Sequence, residues 1–567
     1  MKRKKYLFLA FTVVISAFSV ACSAKDVDSK EKTTTADSVT VVATTTKPLE
    51  TTITVNHTTY GENTDVPESS TTVTESSSDV LTTTVTSTSN KKVTTISSKK
   101  TSKTTTTVKK TTTTSKKTTT KPTTTTKKVT TTVNLKQKLQ GKHKVPIINV
   151  DTNGKNITSL KEYVDCTVDV FNVDSKYELN DVPGGIRVRG NSTAYYGDVQ
   201  QILKNQVPYR IKFDSKTNML GLNDGAKCKS WVLLKVEWNL VPNDIAFKMA
   251  QALFEGQDNF VSDSQFVHVY VNDKFKGLYL LCEQTQINKN RININEVDEG
   301  YTGTDIGYLV EIDNYAWSDP EDYCFNVTYA DGPYITDIEG TRRPLVSSGY
   351  TIKNDIYSQK QVDYISKYTN NVFKIVYEAC ENGNYQTLDS NNNIVNSDFN
   401  NAKDAVNAVL DLESVVNMYI LDEIVHDNDC GEGSFFMCVD FSATSTCKKL
   451  RFTAPWDYGW GYEGQAANKY YAAAFNDQSF VNQFGERSNP WYVLLMTEDW
   501  FVDMVKERWT ELSKINALQN VIDAEYDLID YYKKDFDFIN DWTYYCGKDL
   551  IKWVNDRINW LDQVWLK

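Results

Sequence analysis

Histidine is scarce in this chain: only His57, His143, His268 and His426 occur among 567 residues. The ten cysteines are scattered and never form a Cys-x-x-Cys pair. A structural zinc site, which draws on such closely spaced ligands, is therefore not expected. Around Gly184, Gly185 and Gly190 the spacing of a Walker loop or of a kinase Gly-rich loop is missing. Residues 25–133 lack apolar periodicity and are dominated by Thr, Ser, Lys and Val. Such a stretch cannot bury enough surface to offset the entropy of ordering and reads as a disordered stalk. Within it, residues 90–133 carry twelve lysines and no Asp or Glu, against −11 for the whole chain. A basic stalk under an acidic body would lie along an anionic wall or membrane surface, or would only keep a Thr-rich linker soluble.

What is present begins with an export signal. Lys2, Arg3, Lys4 and Lys5 precede the apolar residues 6–18, and Ser19-Val20-Ala21 leads into Cys22. Residues 1–21 resemble a bacterial lipoprotein signal with Cys22 as the lipidated residue, although Ser19 stands where that motif usually has Leu. An ordinary secretory signal is the alternative. Either way the protein leaves the cytoplasm, lipid-anchored to the outer face of the bacterial membrane or secreted. With Cys22 acylated, an odd number of cysteines remains and at least one thiol stays unpaired.

The stalk spans residues 22–141 and the folded domain 142–567. Short β-prone runs begin with Val145-Pro146-Ile147-Ile148-Asn149-Val150 and recur at 166–171, 185–188, 209–213, 231–234, 267–271 and 277–281. Residues 244–254 read as a helix, with Ile245, Met249 and Leu253 on one face. Beyond Gln359 helical spacing dominates, and its aromatic stripes belong to packing. A sheet-rich first half and a helical second half predict an α+β fold in two lobes, residues 142–312 and 313–567, with a ligand cleft between them.

The chemistry is expected between Tyr419 and Glu463. An apolar helical run ends in His426-Asp427-Asn428-Asp429-Cys430-Gly431-Glu432-Gly433, a loop closed by glycines. Two β-prone runs, 434–439 and 449–453, then form a hairpin that returns Pro455-Trp456-Asp457-Tyr458-Gly459 beside that loop. Loop, antiparallel pair, loop is how protein kinases bring a catalytic Asp and a metal-holding Asp to one phosphate. Ser434 stands five residues after Asp429, where a kinase catalytic loop has its second metal ligand. A solvated loop or an oxygen cluster of the Ca²⁺ type is the plainer reading of the stretch alone.

Upstream, Pro183-Gly184-Gly185-Ile186-Arg187-Val188-Arg189-Gly190 reads as an Arg-containing turn whose glycines and guanidiniums suit phosphate. In residues 208–213, Tyr209, Ile211 and Phe213 share one strand face and Arg210 and Lys212 the other. Glu283 ends an apolar strand, where a charge needs a partner, and a Lys–Glu pair there would position phosphates.

Taken in order, Ile186-Arg187-Val188-Arg189-Gly190-Asn191-Ser192-Thr193, Pro208-Tyr209-Arg210-Ile211-Lys212-Phe213, Lys229-Ser230-Trp231-Val232-Leu233-Leu234, Gly277-Leu278-Tyr279-Leu280-Leu281 with Glu283, Gly307-Tyr308-Leu309-Val310-Glu311-Ile312-Asp313 and Pro455-Trp456-Asp457 resemble the CotH (spore-coat) kinase family. The resemblance runs from about residue 145 to the C-terminus. It implies an atypical, protein-kinase-like fold that transfers the ATP γ-phosphate to Ser or Thr of secreted or surface proteins with Mg²⁺ or Mn²⁺. By motif, Asp429 matches the catalytic-loop Asp and Asp457 the metal-binding Asp, assisted by Ser434. Lys212 and Glu283 match nucleotide-side positions, and Arg189 and Lys229 fall where phosphates would lie.

Two departures stand out: the family commonly has Asn where Asp427 stands, and Trp-Asp-Phe-Asp where this chain ends its motif in Gly459. The lost acid would weaken one metal site. A non-catalytic cell-surface binding module is the alternative, favoured by 32 Tyr and 12 Trp and by the scarcity of extracellular ATP. Hydrolysis by paired carboxylates, as in glycosidases, ranks last. The expected partners are a protein substrate, wall polysaccharide along the stalk and the membrane through the lipid. Nucleic acid is not expected, and the chain is read as a monomer.

Overall fold

The computed structural model describes the backbone of residues 39–45 and 51–57, and residues 135–235, 241–328, 334–345, 348–427, 430–462, 467–475, 489–538 and 542–567. The chain divides into two units, Met1–Lys117 and Thr118–Lys567. In the first, Val39–Thr45 pairs antiparallel with Thr51–His57. This hairpin falls inside the stretch expected to be a disordered stalk, where β-branched Thr and Val favour extended pairing. The export signal with Cys22, and the rest of that stretch up to Asn134, lie outside the described residues.

The second unit takes in residues ahead of Lys142: a helical turn at 135–139 buries Leu135 and Leu139 against Ile147, Phe171 and Tyr270. Seven strands then close a barrel: β1 (Ile147–Asp151), β2 (Val164–Phe171), β3 (Leu179–Val188), β4 (Tyr209–Thr217), β5 (Cys228–Lys235), β6 (Ser264–Val271) and β7 (Lys274–Glu283), in the order β1-β2-β3-β4-β5-β7-β6. Neighbours are antiparallel except β1 and β6, whose parallel pairing closes the ring. Alternation decides the inside: Ile186, Ile211, Trp231, Leu233, Val267 and Leu281 fill it, so it is a packed core and leaves no edge.

The strand expected at residues 185–188 is the end of a ten-residue strand that also contains Gly184. Glycine serves close approach there, since a Cβ on Gly184 would come within 2.8 Å of the Lys212 carbonyl oxygen. The outward residues Val232, Leu234, Leu278 and Leu280 belong to a second, larger core that includes α1 (Val241–Leu253). That helix sits between barrel strands in sequence but packs with the helical body.

A second sheet runs β9 (Cys324–Val327), β10 (Ser348–Ile352), β8 (Gly307–Ile312), β11 (Phe435–Asp440), β12 (Arg451–Thr453), every pair antiparallel. The hairpin expected from residues 434–453 is its β11–β12 edge. Strand β8 belongs here too, so strand pairing divides the fold after Glu283, ahead of the expected boundary at residue 312. Helix α2 (Gln359–Asn382) and the almost wholly buried α3 (Leu412–Val425) belong to the same core. Helices α4 (Asp499–Lys514), α5 (Ala517–Tyr531) and α6 (Trp542–Trp565) complete it. Arg557 of α6 is fully buried, donating to the Glu423 carbonyl oxygen at 2.9 Å and pairing with its carboxylate. The domain is thus α+β, sheet-rich first and helical last, and no described helix is long and apolar enough to cross a membrane.

Candidate active site

Two loops converge at one end of the β11–β12 hairpin. Helix α3 stops at His426, which adopts a left-handed backbone (φ 51°) and donates its N–H to the Asp422 carbonyl oxygen. Its buried ring stacks on Tyr471 with centroids 4.5 Å apart. The loop that follows contains Asp429, which lies outside the described residues together with Asn428. Ser434 ends that loop with φ 55°, and Asp457, after β12, has φ 69°. Left-handed backbone at these polar residues lets the chain turn sharply at each strand end. Tyr462 closes the second loop onto the helix end, its N–H donating to the Val425 carbonyl oxygen at 2.8 Å.

The turns bring Ser434 and Asp457 to the same end of the hairpin, where the Ser434 hydroxyl acts to lower the Asp457 pKa. Asp457 is exposed, yet protein crowds around it and burial raises its pKa above the ordinary carboxylate value. These facts agree if the group lines a narrow cleft: water reaches it but solvates it poorly. Arg189 and the Ser434 hydroxyl oppose the rise. The Arg189 guanidinium lies over the Trp456 ring, 5.4 Å from its centroid, just beyond the end of β3. The barrel therefore meets the second sheet through Arg189 and Trp456, and the Arg189 charge acts on Asp457.

Behind Ser434 lies a charged cluster that the sequence motifs gave no role. The Ser434 N–H donates to Glu311 Oε1 at 3.1 Å. Glu311 Oε2 pairs with Lys353 Nζ at 2.5 Å, and the same ammonium reaches Asp313 Oδ2 at 3.0 Å. The positions follow from register: Glu311 opposes Thr351 on β10 and Phe436 on β11, so Lys353 and Ser434 lie at its flanks. One cation serves two carboxylates. Burial, against the pull of Lys353 and with a push from Asp313, lifts Glu311 to about 7, whereas the two acids raise the Lys353 pKa and hold it charged. The group therefore changes protonation near neutral pH. The available signal was a carboxylate inside the apolar run Tyr308-Leu309-Val310-Glu311-Ile312, the same signal that singled out Glu283.

The barrel residues are distributed differently. Lys212 is exposed on the outer face of β4, with its ammonium 6.0 Å from the Tyr163 ring centroid. Arg187 lies over the same ring at 5.3 Å and opposes Arg210 in register. Burial, and repulsion from Arg187, Arg189 and Arg291 against a favourable Tyr163, lower the Arg210 pKa. A cationic face with an aromatic beneath it thus lies beside Arg189. Lys229 is exposed near the start of β5, out of phase with Ser230, the residue that opposes Lys212. Glu283 does not meet a lysine. It opposes Trp231, is fully buried and accepts from Arg291 Nε at 3.2 Å and Asn223 Nδ2 at 3.2 Å. The partner that its strand position demanded is an arginine eight residues along the chain. Lys212 and Glu283 occupy opposite faces of the barrel wall.

Residues 186–561 match the sequence model of the family described as CotH kinase protein. No curated relative matches the chain.

Proposed function

The chain belongs to the CotH kinase family, and from that premise we propose that it is an atypical protein kinase transferring the γ-phosphate of ATP to Ser or Thr of secreted or surface proteins. The observation that carries this reading is the placement of Asp457 and Ser434 at the same end of one hairpin, with Arg189 over the neighbouring Trp456 ring. An exposed carboxylate beside a hydroxyl offers the oxygen donors that Mg²⁺ or Mn²⁺ prefers, with space left for phosphate and water. Such an ion, held by Asp457 and Ser434, supplies neutralisation of charge on the transferred group. Arg189, beside the same loop, would pair with phosphate oxygens.

Lys212, with Arg187 and Arg210, extends the cationic face toward the nucleotide phosphates, and Lys229 stands at its rim. Glu283 acts at second hand by fixing Arg291. Asp429, between α3 and β11, orients the acceptor hydroxyl. The barrel is the nucleotide-side lobe and the second sheet with its helices the catalytic lobe of a kinase-like fold. The chain works outside the cytoplasm, tethered through Cys22, with its basic stalk along the wall.

Thermal unfolding of the full-length protein with ATP and Mn²⁺ tests this. A ligand bound only by the native state raises its stability by mass action. The expected result is a metal-dependent rise in Tm that Asp457→Ala abolishes, with phosphotransfer falling by about 10²-fold or more, the scale of losing one charge-stabilising group. No shift at any ATP concentration would leave the fold as a surface binding module instead.

A further inference from the structure

Away from the cleft, three potential metal ligands meet that sequence spacing could not connect. His143 precedes the first barrel strand, His268 lies within β6, and Asp535 is on the short helix Lys533–Asp537. One ligand atom from each falls within 4.8 Å of the others. We propose that these residues bind a divalent transition metal of the zinc class, which fastens the entry of the folded domain to the barrel and the C-terminal helices.

The donor set fits that class. Two imidazoles and a carboxylate suit zinc and its neighbours, and three protein ligands leave one position for solvent. Asp535 is already oriented: Oδ1 is 2.8 Å from His143 Nδ1, while Oδ2 accepts the Lys144 N–H at 2.9 Å. His268 is fully buried, and its Nε2 lies 3.3 Å from the Asp535 carbonyl oxygen. A donor there leaves a lone pair on Nδ1, which has no hydrogen-bond partner among the described residues. An N–H given to a backbone carbonyl is the outer contact that fixes a metal-binding tautomer, and an unmatched nitrogen in a closed site is destabilising.

The His143 and His268 rings meet edge to face at 4.5 Å, and Phe275 and Phe538 pack against them. The Asp535 carboxylate pairs with His143 at 2.8 Å. Movements of about an ångström would bring the ligands to the roughly 2 Å bond lengths of zinc. The metal would lock together segments distant in sequence, and it does not depend on the kinase reading.

The test uses full-length protein carrying Asp457→Ala, so that an ion in the cleft is not counted. Titration with Co²⁺ is expected to give a visible ligand-field band saturating at one equivalent, which Zn²⁺ displaces while raising Tm. His143→Ala, at the domain's entry, and the near-isosteric Asp535→Asn are each expected to weaken Co²⁺ binding at least about tenfold. Circular dichroism establishes that both variants are folded. Absence of a stoichiometric band, or a band of unchanged affinity in either folded variant, overturns the proposal and leaves a hydrogen-bonded His–Asp contact.

Discussion

Glu283–Arg291 and Glu311–Lys353 are the same kind of ion pair built into two sheets, and their surroundings separate them. In the barrel both side chains are fully buried, and Arg291 also donates to the Ser230 carbonyl oxygen at 2.8 Å. In the second sheet Glu311 and Lys353 retain 12% and 30% of their side-chain exposure, and the glutamate accepts from the Ser434 N–H, whose hydroxyl acts on Asp457. Burial raises both glutamates, but only Glu311 is connected to the cleft. A sealed pair fixes strand ends. A pair open on one side can pass a change of protonation to its neighbours.

The largest effect that would sharpen this contrast comes from the sealed pair. Arg291→Met leaves Glu283 buried without its cation and is expected to destabilise the domain by about 3–5 kcal/mol, read from urea unfolding. A loss below about 1 kcal/mol would mean that Asn223 and water suffice for Glu283, and the two pairs would no longer differ in kind.

The open pair is expected to show itself through pH. Glu311 has a folded pKa of about 7 against an ordinary 4.5, so between those values the folded state binds more protons than the unfolded one. Its contribution is complete below 4.5 and is lost as pH rises through 7, so stability falls across that window. Glu311→Gln should make the decline of Tm over that range shallower. An unchanged slope would assign the titration to another acid, such as Asp422, whose pKa burial also raises.

Smallest is Lys212→Met. An exposed side chain is expected to change stability by no more than about 0.5 kcal/mol, while ATP affinity falls and becomes less sensitive to salt. Affinity equal to wild type at low salt would remove Lys212 from the nucleotide side and leave the barrel's outer arginines to carry it.

Much of this architecture was legible in local patterns. Alternation placed Ile211 and Phe213 inside and Lys212 outside, helical spacing buried Phe501, Val505 and Trp509, and the polar connection between β-prone runs marked the β11–β12 hairpin. The failures share a cause. The strand expected at 185–188 starts earlier than its β-prone residues show, because Gly184 accommodates a neighbouring strand. Glu283 needed a cation, and spacing alone could not choose Arg291 over Lys212. Glu311 and Lys353 were not singled out because they meet only when β8 and β10 pair.

The sequence by itself determined which segments form strands and helices, which faces turn inward and which family the chain resembles, because periodicity and motif order are properties of neighbouring residues. Only the tertiary structure decided the partners: Arg291 for Glu283, Lys353 and the Ser434 N–H for Glu311, and His143 with His268 and Asp535. Such pairings depend on barrel closure, strand register and helix docking. Those are fixed by burying two cores at once, a condition on the whole chain that no local spacing records.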